Sequence, residues 1–186
     1  MSRNRCARTI VIAAALLVSF TTSLPDASAS SGTATITAGS LAFISSPASI
    51  AFTATLAGAD QFVTATQAFD VGDGTGTASG WNITATSTTF TAGAKTLSNT
   101  GTTVQAAPSV ACDASVTCTV ATTNVTYPYT LPAATTAPTA TKLYNATANT
   151  GMGNQTITAT VRLSVPAATL AGTYTSTWTY SLVSGP

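Results

Sequence analysis

The chain has 186 residues, 45% of them hydrophobic and only 6% charged, with no histidine and a formal net charge of +1. No basic patch is available to displace phosphate counterions, which argues against a nucleic-acid partner. Without histidine, Ser-His and Cys-His nucleophile pairs cannot be assembled, and a chain dominated by Thr, Ser and Ala favours strands and turns over helices.

In chain order, Arg3, Arg5 and Arg8 precede an apolar run over residues 10–20, and Ala27-Ser28-Ala29 forms a small-x-small cleavage site. This is the pattern of a secretory signal peptide over residues 1–29. The run is shorter than the ~20 apolar residues of a membrane-spanning helix, so no span is expected after its removal, and Cys6 leaves with it. Residues 30–186 are then expected to form one secreted domain. In it Lys95, Lys142 and Arg162 face Asp60, Asp70, Asp73 and Asp113. Cys112 and Cys118 are the cysteines that remain, and an even pair at short spacing in an exported chain reads as a disulfide. Two thiols without histidine would leave a zinc site two ligands short.

Residues 33–38 alternate Thr with Ala34, Ile36 and Ala38, and a short run over 41–43 follows. Ile50, Phe52, Ala54 and Leu56 alternate again, and 62–69 is a further run with Thr interleaved. All four are expected to be strands. A loop of small residues over 70–80 leads to a strand at 81–86 carrying Trp81. Within that loop Asp70 and Asp73 read first as turn formers and second as calcium ligands. Residues 91–153 read as an irregular, disulfide-bearing insertion with one or two strands, 116–125 being the best.

Regular alternation returns at 156–165, and a Pro/Gly-containing connection leads to the last segment. There Tyr174, Ser176, Trp178, Tyr180 and Leu182 share one face while Thr and Ser fill the other. These two strands are expected to form an antiparallel hairpin, and the Trp81 segment is the other candidate neighbour of the terminal strand. No stretch after residue 29 carries a helical apolar stripe. The expected fold is all-β, an antiparallel β-sandwich of immunoglobulin-like type rather than a barrel.

The four Asp offer little for general acid-base work, so no enzyme and no cofactor are expected. Trp81 and Trp178 have two readings: the largest residues of a small core, or flat rings for stacking on sugars.

The segments Gly80-Trp81-Asn82-Ile83 and Tyr174 to Pro186 together resemble the WxL domain family of Gram-positive surface proteins. That family carries Trp-x-Leu after a Gly-rich loop and a C-terminal Tyr-x-x-x-apolar-Thr-Trp-x-Leu-x-x-x-Pro. Here Tyr174, Trp178, Thr179, Leu182 and Pro186 match the distal motif, with Tyr180 at its Trp position, and Ile83 stands at the proximal Leu. The resemblance implies non-catalytic, non-covalent attachment to the cell wall, through peptidoglycan or another wall glycan. It also implies surface partners bearing immunoglobulin-like domains. Trp81, Tyr174, Trp178, Tyr180 and Leu182 become the candidate binding residues. The alternative is a pilin-like or surface-assembly subunit held by strand addition.

Overall fold

The computed structural model describes residues 28–186, so the expected leader lies outside them except for its last two positions. The chain forms strands β1 (Leu41–Phe43), β2 (Gln61–Asp73), β3 (Trp81–Thr88), β4 (Thr91–Ala92), β5 (Lys95–Thr96) and β6 (Thr102–Val104). It continues with β7 (Ser109–Cys112), β8 (Tyr129–Thr130), β9 (Ala133–Ala134), β10 (Thr141–Ala146), β11 (Gly153–Val165) and β12 (Trp178–Ser184). There is no helix among the described residues.

One main sheet runs β1-β2-β11-β6-β8, with β7 also paired to β11; the other runs β10-β3-β12, with β9 beside β3, and β4 with β5 forms a separate two-stranded ribbon. Every pairing is antiparallel except β3 with β9. The central pair is β2 with β11, in register over all 13 residues of each, from Gly153 opposite Asp73 to Val165 opposite Gln61. Period-2 alternation sends Phe69, Val71, Ile157, Ala159 and Val161 to one face. Trp81, Ile83, Ala85 and Leu143 of the second sheet meet them in one core cluster. Neither sheet closes on itself, so the architecture is the sandwich that the alternation predicts.

The terminal strand pairs with the Trp81 strand, not with β11. Leu182 lies opposite Ile83, Tyr180 opposite Ala85 and Trp178 opposite Ser87. The expected hairpin of 156–165 with 174–182 is therefore not formed. Its connection leaves the first sheet, and Thr175 exchanges two 2.9 Å backbone hydrogen bonds with Thr91. Lys95 Nζ also donates to Ala171 O at 2.7 Å. These contacts carry the chain across to the open edge of β3.

Three expected strands are not formed: 33–38, 50–56 and 116–125 pair with no neighbouring strand. Alternation selects a face, whereas a strand also needs a neighbour for its N–H and C=O groups. Around 116–125 those groups go elsewhere. Thr119 N donates to Met152 O at 2.9 Å, Ala121 N to Gln155 Oε1 at 2.9 Å, and Ala121 O accepts from Tyr144 Oη at 3.0 Å. The loop expected from residue 70 begins later, since β2 runs on to Asp73 and Gly80 takes the positive φ of 75° that turns the chain into Trp81. Residues 91–153 are built into both sheets through β6 to β10, and they supply the buried Val104, Leu131, Leu143 and Tyr144. Cys112 and Cys118 form the expected disulfide.

Candidate functional site

β12 has β3 along one edge and no strand along the other, and β1 of the opposite sheet approaches it there. The two sheets thus leave an open rim, and the aromatic side chains of β12 lie along it. Thr175, Thr177, Thr179 and Ser181 point to solvent, while Trp178, Tyr180 and Leu182 are half-buried against the core.

Trp178 sits in an aromatic cluster. Its ring centroid is 6.2 Å from Phe52, 6.2 Å from Phe90 and 6.4 Å from Tyr180. Tyr180 meets Phe69 edge-on at 4.8 Å, an arrangement that the ring quadrupoles favour. Its hydroxyl reaches Gln67 Oε1 at 3.5 Å, and burial pushes its pKa above the ordinary tyrosine value. The phenol therefore stays neutral throughout the physiological range.

Beside this cluster lies a groove of about 650 Å³. Phe43, Phe90, Tyr174, Trp178 and Tyr180 supply its aromatic surface, and Ser46, Ser49, Ser176 and Gln67 supply hydroxyl and amide groups. No charged side chain lines it. Tyr174 precedes β12 and is held by its hydroxyl, which donates to Leu170 O at 2.8 Å. The site can offer flat apolar faces and neutral hydrogen-bonding groups, and it has no ion with which to pair a charged ligand.

Of the residues singled out from the sequence, Tyr174, Trp178 and Tyr180 share this groove. Leu182 packs against the core and does not line the groove. Trp81 is 0% exposed, and its indole Nε1 donates to Gly151 O at 2.9 Å. No face of its ring reaches solvent, so Trp81 acts on the site only through the strand it anchors. Phe43, Phe90, Gln67, Ser46 and Ser49 carried no signal in the sequence, because they come from separate segments that only the packed rim brings together.

Three of the four carboxylates among the described residues have hydrogen-bond donors at 3.1 Å or less, whereas Asp70 has only Ser45 Oγ at 3.4 Å. Asp73 Oδ1 accepts from Thr75 N at 3.0 Å and Thr75 Oγ1 at 2.7 Å, Asp60 from Ala167 N at 2.8 Å, and Asp113 from Thr156 Oγ1 at 3.1 Å. Asp70 and Asp73 are three apart on the regular strand β2 and so project to opposite faces, which denies them a shared cation. Among the described residues no three His, Cys, Asp or Glu side chains converge as metal ligands would.

The fold and its rim define a β-sandwich with an aromatic groove beside its terminal strand. The match to a family model then extends over residues 26–186: the chain belongs to the WxL domain surface cell wall-binding family. It is accordingly a protein of the cell surface and cell wall. No curated protein and no solved structure matches the chain significantly. The two segments that carry the family resemblance are here one hydrogen-bonded ladder, β3 with β12, although one lies mid-chain and the other at its end.

Proposed function

We propose that this protein attaches to the wall directly and without catalysis, taking peptidoglycan into the groove lined by Tyr174, Trp178 and Tyr180. The observation that carries this reading is the pairing of aromatic faces with neutral hydroxyl and amide groups in one open groove. A sugar ring presents an apolar face to an aromatic ring while its hydroxyls and amides need polar partners, and few convergent polar groups in an apolar cleft are typical of such sites. The lack of lining charge favours the neutral glycan strands over anionic wall polymers. The absence of histidine and the hydrogen-bonded engagement of Asp60, Asp73 and Asp113 support binding rather than hydrolysis.

The test is co-sedimentation of the protein with isolated sacculi, for the parent and for Trp178→Ala and Tyr174→Ala. Both positions are partly exposed, so folded variants are obtainable and near-UV circular dichroism verifies them. Binding weakened about tenfold or more in folded variants, and unchanged from low salt to ~0.5 M, is the expected result. A folded parent that leaves the sacculi unbound would sink the direct-binding reading. It would favour a surface-assembly subunit held by strand addition, for which the free edge of β12 is the supporting observation.

A further inference from the structure

A second groove, of about 670 Å³, adjoins the first at Ile50, Phe90 and Tyr174. It is more apolar, with Leu56, Val63, Leu97, Leu163, Val165 and Leu170 in its lining beside threonines of the 53–55 and 169–173 segments. Two of these side chains are unusually open for leucine: Leu56 is 40% and Leu170 61% exposed. Scattered exposed apolar residues are ordinary on a protein surface. Leu56 and Leu170 differ in standing together at the margin of one concave, largely apolar groove.

The same chain carries a matching projection. Residues 28–40 are exposed throughout and form no strand, although 33–38 alternate as a strand should. At the centre of that pattern Ile36 is 93% exposed. The segment thus has an apolar face, with no sheet to hold it and no core to cover it.

Its own groove is out of reach. Gly39 N donates to Gly74 O at 2.8 Å, just beyond the Asp73 end of β2, whereas the groove lies by Val63, near the Gln61 end. From Asp73 back to Val63 β2 runs ten residues, roughly 33 Å at ~3.3 Å each. Ile36 precedes Gly39 by three residues, which extend ~10 Å at most. Only another molecule can bring an Ile36 to this groove.

We propose that the apolar groove receives residues 33–38 of a second copy of this chain, with Ile36 seated among Leu56, Leu163 and Leu170. Donor and acceptor are different surfaces, so the contact is heterologous and can propagate head to tail. An array of copies keeps one free projection at one end and one free groove at the other. The inference does not depend on what the wall-facing groove binds.

Sedimentation equilibrium of the exported chain tests it, with Ile36→Asp and Leu170→Asp alongside. Both positions are well exposed, so neither substitution removes a core contact. The parent is expected to gain mass with concentration, and each variant to associate at least tenfold more weakly. Mixed together, the two variants should form a two-chain complex that does not extend. The Ile36→Asp chain keeps an intact groove, and the Leu170→Asp chain keeps an intact projection. A parent that stays monomeric to ~1 mM, or one whose assembly is untouched by Ile36→Asp, overturns the proposal and leaves the groove to a different partner.

Discussion

Trp81 and Trp178 sit on neighbouring strands of one sheet, on the same side of it, and have opposite fates. β3 lies between β10 and β12, and most of its side chains are buried. Trp81 there loses all contact with solvent and spends its indole N–H on Gly151 O. β12 is an edge strand, and Trp178 stays half-exposed among Phe52, Phe90 and Tyr180 with a groove beside it. One Trp builds the sheet and the other presents its surface. Central or edge position in the sheet decides the role, since residue type and alternation are the same at both.

The largest expected effect is at the buried member of this pair. Trp81→Ala should cost about 3–5 kcal/mol, the range for truncating a large core aromatic, with Gly151 O also left without its donor. Denaturant unfolding measures this; a loss below about 1 kcal/mol would break the contrast drawn here. Next comes the support of that ring. Gly151 has φ +80°, and a Cβ there would lie 2.7 Å from Trp81 Nε1 and 2.5 Å from Ala146 Cβ. Gly151→Ala should therefore cost roughly 1–3 kcal/mol through strain and displacement of the indole.

Trp178→Ala should be milder for stability, about 1–2 kcal/mol given its partial burial, while carrying the larger loss of sacculus binding. If the order of the two Trp variants in stability were reversed, β12 and not β3 would be the structural strand.

The smallest effect is with pH. Burial raises the hydroxyl pKa of Tyr127, Tyr129, Tyr144 and Tyr180 above the ordinary value, Tyr144 to about 12. The folded state therefore holds these protons more tightly than the unfolded chain. Their contribution to stability is fully present below the unfolded value of about 10. It is lost as pH rises from there through the folded values. Thermal melting should be insensitive to these groups through the neutral range and fall above pH ~10. A marked transition near neutrality would contradict this account.

Much of the fold was legible because alternation reports burial directly. β2, β3, β11 and β12 were all anticipated from their period-2 patterns, and each has one face on the core or rim. The same logic misread 33–38, 50–56 and 116–125, where an alternating sequence finds no strand partner. At the candidate site, Tyr174, Trp178 and Tyr180 share a face that the sequence displays. Phe43, Phe90 and Gln67 join them from three other segments, a convergence that no local pattern encodes.

By itself the sequence determined the all-β class, the disulfide of Cys112 with Cys118, and the family resemblance carried by residues 80–83 and 174–186. Each depends on residue type and spacing along a few neighbouring positions. Tertiary structure decided that β12 lies against β3 rather than β11, that Trp81 is sealed while Trp178 is not, and that the sheets leave an open aromatic rim. These depend on which strand edges remain free after β2 and β11 have paired along their full lengths, and hydrogen-bond partners far apart in the chain settle that competition.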